Sequence, residues 1–155
     1  MQPGNRCTVS PAPAADLTGA IATIEYALPV LRAQGGGQIV AITSVAKVRA
    51  MPFMGAYSAA KAGLHCYVEA LRAEVAHEPI TVTELAPGYI DTDLNRGVAM
   101  RPFVIPVQQG AAIMAKLIER RVGHRYVPVW PWTLIAPLLR WIPARLLAPR
   151  PKSRK

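Results

Sequence analysis

A glycine turn that leads into a short apolar run restricts the fold of this chain of 155 residues. The sequence of this segment is Gly35-Gly36-Gly37-Gln38-Ile39-Val40-Ala41-Ile42-Thr43-Ser44. Glycines end helices and turn the chain, whereas a β-branched apolar run after a turn is typical of a strand buried on both faces of a parallel sheet. We therefore expect Ser44 at the carboxyl end of such a strand, where open α/β sheets place their ligand crevice.

Helices and a second strand are predicted around this run. A helix is expected over residues 57–77, because apolar side chains recur there at helical spacing, namely Leu64, Tyr67, Val68, Leu71 and Val75. Residues 17–33 and 106–121 have the same kind of pattern. Residues 80–86 form a second strand candidate that Pro87-Gly88 ends. This alternation of helices and strands predicts the α/β class.

A phenol and an amine lie four residues apart on the predicted helix, at Tyr57 and Lys61. Residues at this spacing share one helix face. A free phenol has a pKa of about 10, and a nearby ammonium favours the phenolate, which brings such a group towards acid–base work. Ser44 could then hold a carbonyl or hydroxyl oxygen. Taken alone, the same spacing also fits an ordinary surface helix.

The surrounding motifs favour the chemical interpretation. Ser44, the Tyr57-x-x-x-Lys61 motif and the segment Pro87-Gly88-Tyr89-Ile90-Asp91-Thr92 occur in this order. Over roughly residues 16–97 the chain resembles the catalytic half of the short-chain dehydrogenase/reductase family. The resemblance implies an α/β, Rossmann-like doubly wound parallel sheet that is incomplete here, since nothing matches the amino-terminal dinucleotide-binding half.

The resemblance also implies roles for individual residues. Tyr57 would be the general acid in ketone reduction and the general base in alcohol oxidation, and Ser44 would orient the substrate oxygen. Lys61 would favour ionisation of the phenol and hydrogen-bond the nicotinamide ribose. The nicotinamide would be lined by Pro87, Gly88, Ile90 and Thr92, and Tyr57 and Lys61 would also bind the cofactor. The expected function is NAD- or NADP-dependent hydride transfer between a small-molecule alcohol and a ketone or aldehyde.

The phosphate-binding part of such a site is missing. No G-x-G-x-x-G occurs in the sequence, and the triple glycine precedes a strand rather than a helix, the reverse of what a phosphate cradle needs. Asp16 stands where the family has an Asn; it could cap a helix but cannot donate an amide hydrogen bond. We expect impaired cofactor binding, and a non-catalytic remnant that retains packing and dimerisation surfaces is the alternative. NAD and NADP cannot be told apart.

Three segments are expected. Residues 1–15 are rich in Pro, Ser and Ala and predict a disordered arm. Residues 16–126 form the partial catalytic domain, and residues 127–155 form an apolar, proline-rich extension with a basic tail. The change of character near Asp16 indicates a truncated or frame-shifted reading frame.

Charge and cysteine usage limit the partners. The net charge is +9, and from Lys116 onward ten residues are basic and one, Glu119, is acidic. Nucleic acid is disfavoured, because no known binding motif accompanies this charge. The two cysteines and three histidines lack metal-ligand spacing, so no metal site is expected, and the chain fits a reducing cytoplasm.

The extension leaves two readings open. It mixes Trp, Leu and Ile with Arg140 and Arg145. Breaks at Pro131, Pro137 and Pro143 argue against a membrane-spanning helix. Weak, peripheral contact of residues 127–155 with a membrane surface is one reading. The favoured one is an extension that closes over the substrate pocket or packs in a subunit interface. A homo-oligomer is expected, because the helices of residues 17–33 and 57–77 often form the dimer interface in this family.

Overall fold

The computed structural model describes residues 11–50, 52, 54–93 and 101–147. Five strands, four α-helices and two short 3-10 helices follow one another along this part of the chain. In order they are α1 Pro11–Ala33, β1 Gly37–Ile42, η1 Val45–Lys47, α2 Gly55–Glu74, β2 Ile80–Pro87, β3 Ile90–Asp91, β4 Ile105–Pro106, α3 Val107–Glu119, β5 His124–Val127, α4 Val129–Leu139 and η2 Ala144–Leu147.

A parallel sheet of order β1-β2-β5 forms the centre. In register, Gly37 pairs with Ile80 and Ile42 with Leu85, while Pro87 at the end of β2 pairs with Val127. β3 and β4 form a separate parallel pair. All three central strands therefore end at the same edge. The predicted α/β class with a parallel sheet is confirmed, as are the strand before Ser44 and the strand before Pro87-Gly88.

Helices cover both faces of the central sheet. Ile39 and Ala41 of β1 pack with Leu64 and Val68 of α2 and with side chains of α1. Val40, between them, packs with the α3 side of the sheet, because successive strand residues point to opposite faces. Such double coverage explains why the strands read as continuous apolar runs.

The predicted glycine turn joins α1 to β1. Gly36 has φ +128°, and a Cβ there would stand only 2.2 Å from the carbonyl oxygen of Pro79. A side chain would therefore be strained in conformation and would clash with backbone. The turn aligns the first residue of β1 with the first residue of β2.

The amino-terminal boundary was predicted wrongly. Helix α1 begins at Pro11, so residues 11–15 are helical rather than part of a disordered arm. Residues 1–10 lie outside the described residues. Asp16 is inside α1 and exposed, so it does not cap the start of this helix. Ala-rich sequence around Pro11 and Pro13 supports helix once the first turn has formed, since proline is tolerated there.

The extension begins differently from the expectation as well. Val127, predicted as its first residue, is the last residue of β5 and is fully buried. Helix α4 follows it and packs Trp132 and Ala136 with Val45 of η1, near the carboxyl edge of the sheet. In the described parts of the chain, no helix has the length and apolar character needed to span a bilayer.

Candidate active site

Ser44 is fixed at the carboxyl end of β1. Its backbone is extended, and its Oγ accepts a hydrogen bond from the backbone N–H of Ala46 at 3.1 Å, which caps η1. The same hydroxyl donates to the carbonyl oxygen of Pro87 at 3.5 Å, and the residue is 8% exposed. The hydroxyl thus links the ends of β1 and β2, near the surface of the carboxyl edge.

Lys61 and Tyr57 approach this strand end from α2. The ammonium of Lys61 donates to the carbonyl oxygen of Ile42 at 3.3 Å, two residues before Ser44. Its Nζ lies 5.8 Å from the centroid of the Tyr57 ring. Both side chains are half-buried. The structure therefore places Ser44 and Lys61 at one strand end, with the Tyr57 ring beside the ammonium.

The loop after β2 spreads its residues over a wider region. Gly88 donates its backbone N–H to the carbonyl of Val127 at 2.8 Å, next to the strand end. Ile90 instead lies against α3, where a Cβ on Gly110 would be 2.9 Å from its Cδ1. Thr92 follows β3 and is half-buried. Pro87 is thus in contact with Ser44, whereas the side chain of Ile90 packs towards α3.

A tryptophan that the sequence did not single out covers Gly88. Trp132 of α4 is 4% exposed, and a Cβ on Gly88 would stand 2.3 Å from its Nε1. This indole N–H has no hydrogen-bond partner among the described residues, although it is buried. Phe103 packs edge-on against the ring at a centroid distance of 5.6 Å. Only a glycine at position 88 allows α4 to lie this close.

A buried charge cluster, formed by Lys47, Glu84, His65, His124 and Thr43, lies behind the strand end. The Lys47 ammonium is 2.5 Å from Glu84 Oε1 and 3.0 Å from both His65 Nδ1 and His124 Nε2. Thr43 donates to Glu84 Oε1 at 2.7 Å. The side chains of Lys47 and Glu84 are 2% and 0% exposed. The cluster joins η1, α2, β2 and β5, which together carry or adjoin Ser44, Tyr57 and Lys61.

The ionisation of the cluster follows from these contacts. Burial would raise the pKa of Glu84, but hydrogen bonds from Lys47 and Thr43 outweigh it and hold that pKa below its ordinary value. Burial lowers the pKa of Lys47 against the pull of Glu84. Burial and the Lys47 charge also lower the pKa of His124. We therefore assign an ionised Glu84, a charged Lys47 and a neutral His124 at neutral pH, since a buried carboxylate and ammonium in contact stabilise each other.

His65 has two alternatives within this cluster. Its Nδ1 lies 2.9 Å from Glu84 Oε2 as well as 3.0 Å from Lys47 Nζ. When Nδ1 carries a proton it donates to the carboxylate, and when it does not it accepts from the ammonium. A cavity of about 580 Å³ opens beside the cluster, lined also by Arg72, Tyr126 and Arg140. The described residues contain no group of three His, Cys, Asp or Glu side chains that could hold a metal ion.

Sequence reasoning missed this cluster. The available signal was Glu84, an acidic residue in the middle of the apolar run of β2, because a carboxylate there requires a buried partner. Its partner Lys47 lies 37 positions away in sequence. The pairing of β1 with β2 and the path of η1 determine which cation lies beside Glu84. No local sequence pattern predicts either of them.

The chain is similar to a known protein family and to several of its members. The family model for short chain dehydrogenases matches residues 13–101, which is more than half of the chain. An uncharacterized oxidoreductase of Mycobacterium tuberculosis is 38% identical over 132 residues, which cover 84% of this chain and 52% of that protein. A "Dehydrogenase/reductase SDR family protein 7-like" from Anopheles gambiae is 43% identical over 77 residues, 50% of this chain and 24% of that protein.

Solved structures agree with this placement. A short chain dehydrogenase from Burkholderia cenocepacia, in complex with NADP, aligns with a TM-score of 0.73 and 26% identity, over 92% of this chain and 60% of that one. An acetoin dehydrogenase from Enterobacter cloacae aligns with a TM-score of 0.61 and 30% identity, over 72% and 49% of the two chains. The chain spans about half the length of the Mycobacterium tuberculosis oxidoreductase. With its motifs on the strand end and helix described above, the chain belongs to the short chain dehydrogenase family of oxidoreductases.

Proposed function

We propose that this chain carries the proton-transfer part of an alcohol–carbonyl oxidoreductase site that works with NAD or NADP. The observation that carries the proposal is the position of Lys61, whose ammonium contacts the end of β1 and lies beside the Tyr57 ring. A phenol, an ammonium and a hydroxyl at the carboxyl end of parallel strands form a donor set suited to a carbonyl oxygen.

Each residue has a distinct part in the proposed chemistry. Tyr57 Oη gives a proton to the substrate oxygen in reduction and takes it back in alcohol oxidation. The positive charge of Lys61 stabilises the negative charge that develops on the phenol oxygen. Ser44 Oγ, which is held by Ala46 and Pro87, orients the substrate oxygen by a hydrogen bond.

The residues fit the nicotinamide end of such a cofactor. When bound, the cofactor supplies the hydride, so the protein has to position and polarise rather than reduce. We propose that Tyr57 and Lys61 contact its ribose side, and that Pro87, Gly88, Ile90 and Thr92 contact its ring side. The buried N–H of Trp132 beside Gly88, which no group in the described residues accepts from, provides one more donor at this end.

The chain offers less to the pyrophosphate. Without a glycine-rich turn before a helix, backbone N–H groups that would cradle phosphates are missing from the sequence. We therefore expect these 155 residues to bind NADH and NADPH weakly. Micromolar binding of either by isothermal calorimetry would contradict this expectation.

The proposal is tested with reduced nicotinamide mononucleotide, which lacks the adenosine half of the cofactor. Saturation-transfer NMR on the full chain should show contact with the nicotinamide protons. Lys61→Met should remove most of this signal, whereas Lys116→Met, at an exposed site on α3, should leave it unchanged. The absence of any signal from the unaltered chain with this probe and with NADPH would overturn the proposal.

A second candidate is a protein without catalysis that keeps the packing and dimerisation surfaces of the family. It is favoured by the close contact of Trp132 with Gly88, which covers part of the loop proposed for the nicotinamide. Tyr57→Phe separates the two candidates, with Tyr67→Phe on the same helix as control. Slow ketone reduction that Tyr57→Phe abolishes and Tyr67→Phe preserves supports the enzyme. A chain with no such activity, and no nicotinamide contact, supports the second candidate.

We also propose that the chain self-associates through α1 and α2. Most of the predicted apolar face of α1 is used within the molecule, since Ile24 and Leu28 are buried in the core and Leu17 and Leu31 pack beside them. Other α1 side chains remain outside, among them Tyr26 at 82% and Val30 at 60% exposure. Light scattering should then give a mass above that of one chain.

A further inference from the structure

Helix α4 is apolar on two opposite sides. Its inner side packs Trp132, Ile135, Ala136 and Leu139 with η1 and with the side chains of Tyr89 and Tyr126. Four side chains outside this packing are exposed, and we define them as the outer stripe: Trp130, Leu134 and Leu138 of α4 and Trp141 just after it, with exposures of 71%, 56%, 64% and 84%. A helix that is apolar all round is expected to be covered all round. The outer stripe is therefore a surface that lacks its partner in the isolated chain.

Leu134 and Leu138, four residues apart, lie on one side of α4. Trp130 precedes them at a kink, where its backbone is not helical, and Trp141 follows the end of the helix. Leu146 of η2, 70% exposed, follows in the same direction along the chain. Two exposed tryptophans in one stripe are unusual for a surface left in water, since large apolar patches mark interaction sites.

The charge next to the stripe has one sign. Arg140 and Arg145 lie within and after it, and both are exposed. From residue 127 to the end, the sequence holds six basic residues and no acidic one, the other four being Arg150, Lys152, Arg154 and Lys155. In a two-fold symmetric contact the same patch faces itself, so these cations would meet cations without a neutralising carboxylate.

A strand added at the β1 edge of the sheet does not account for the stripe either. Strand order β1-β2-β5 makes β1 and β5 the two edges, and a strand added beside β1 would be separated from β5 by two strands. Helix α4 follows β5 directly and packs close to it. A strand added at β1 would thus extend the sheet away from the stripe.

We propose that the outer stripe docks on the surface of an anionic lipid bilayer, with α4 lying in the headgroup region. Such a surface supplies an apolar layer for the leucines, an interface for the tryptophans and negative charge for the arginines. The carboxyl edge of the sheet, onto which α4 packs, would then face the membrane side of the molecule. This inference is independent of the catalytic proposal, because it uses none of Ser44, Tyr57 and Lys61.

Flotation tests the proposal. The full chain is synthesised in a cell-free system together with phosphatidylcholine vesicles, with or without about 30 mol% phosphatidylglycerol, a fraction that gives a clearly negative surface. Flotation through sucrose then separates vesicle-bound chain from aggregates, which stay below. We expect flotation with the anionic vesicles, a strong decrease in high salt, and little flotation with the neutral ones.

Variants connect the binding to the stripe. Trp130→Ser, Leu134→Ser, Leu138→Ser and Trp141→Ser together should lower the floated fraction about fivefold or more, since apolar burial drives insertion. The matched control is Val104→Ser with Val107→Ser, two exposed apolar residues near the start of α3, and it should float like the original chain. Arg140→Gln with Arg145→Gln should weaken binding about fivefold for each charge removed.

Three results would overturn the proposal. One is equal flotation with neutral and anionic vesicles, and another is flotation that the fourfold stripe variant does not reduce. The third is a chain that ignores vesicles and forms dimers, by light scattering, which the stripe variant converts to monomers; a second copy would then be the occupant. Lipids brominated in their acyl chains give a separate readout, because they should quench the fluorescence of Trp130 and Trp141 but spare that of the buried Trp132.

Discussion

Two lysines reach the same end of the sheet, and their surroundings differ. Lys47 is buried, and its ammonium lies within 3.0 Å of one carboxylate oxygen of Glu84 and of one ring nitrogen of each of His65 and His124. Lys61 is half-buried, and within the described residues its side chain has the Ile42 carbonyl as its hydrogen-bond acceptor. Lys47 is therefore engaged within the fold, whereas we propose that Lys61 donates to a ligand.

The two lysines show that one end of the sheet holds both a fully packed charge cluster and side chains with unused hydrogen-bonding capacity. Glu84 lies on β2, Thr43 lies between the end of β1 and Ser44, and Lys47 follows Ser44 by one turn of η1. The buried charge cluster thus fixes the backbone on both sides of Ser44. The groups that we propose for ligand contact can keep unused hydrogen-bonding capacity, because the neighbouring cluster holds the backbone in place. Such pre-organisation is what a positioned acid–base group requires.

The largest effect is expected from removing the buried ammonium. Lys47→Met leaves Glu84 buried without its cation, and breaking such a pair costs about 3–5 kcal/mol. Urea unfolding followed by circular dichroism measures the change. Lys47→Met combined with Glu84→Leu should recover much of the loss, because an apolar pair avoids burying charge. A Lys47→Met variant as stable as the original chain would remove the structural side of the comparison.

The next effect concerns the contact between the site and α4. Gly88→Ala would place a methyl group 2.3 Å from the Trp132 indole, so α4 or the loop has to move. We expect a loss of about 1–3 kcal/mol, typical of overpacking. Gly19→Ala in α1 is the control, since a Cβ there meets nothing within 4 Å and alanine should stabilise the helix by about 1 kcal/mol. Similar stabilities of the two variants would mean that α4 is not anchored at Gly88.

A smaller effect is expected on acidification. The pKa of His124 is below its ordinary value in the folded chain, so as the pH falls through 6.5 the unfolded state takes up a proton that the buried ring does not. The Tm should therefore fall, and it should fall further below pH 4.5, where Glu84, whose pKa is also lowered, is protonated first in the unfolded state.

Variants assign the two parts of this pH profile. His124→Gln keeps an acceptor for Lys47 without a titrating ring, so it should flatten the loss of Tm near pH 6. Glu84→Gln should flatten the loss at lower pH while lowering the Tm at neutral pH. Scanning calorimetry at a series of pH values would show this. If neither substitution changed the dependence of Tm on pH, other titrating groups would be the cause of the loss of stability in acid.

The elements that carry Ser44, Tyr57 and Lys61 could be predicted from the sequence, whereas the buried charge cluster could not. β1, α2 and β2 were expected because a turn, an apolar run and a helical period are each local, and so Ser44, Tyr57 and Lys61 could be assigned to their elements. The cluster around Glu84 was missed because its members come from four elements, and their meeting depends on strand register. The spacing of the histidines predicts no metal site, and it does not reveal that His65 and His124 contact Lys47.

Helix α4 and β5 were missed for a different reason. β5 has four residues, too few for a clear alternation of apolar and polar positions. In α4 the prolines are breakers by local rules, yet Pro131 lies near the start of the helix, where its missing N–H costs little. Packing on η1 and on Gly88 then outweighs the unfavourable Pro137, as tertiary contacts commonly do.

The smallest effect on stability is expected from Lys61→Met. Its ammonium makes one hydrogen bond to a backbone carbonyl in the described part of the chain, and solvent can replace that bond. We expect the free energy of unfolding to change by less than about 0.5 kcal/mol, the range for partly exposed polar groups. The nicotinamide contact in saturation-transfer NMR should disappear in the same variant. If Lys61→Met proved as destabilising as Lys47→Met, the two lysines would share one structural role, and the donor facing a ligand would have to be sought elsewhere, with the Trp132 N–H as the first alternative.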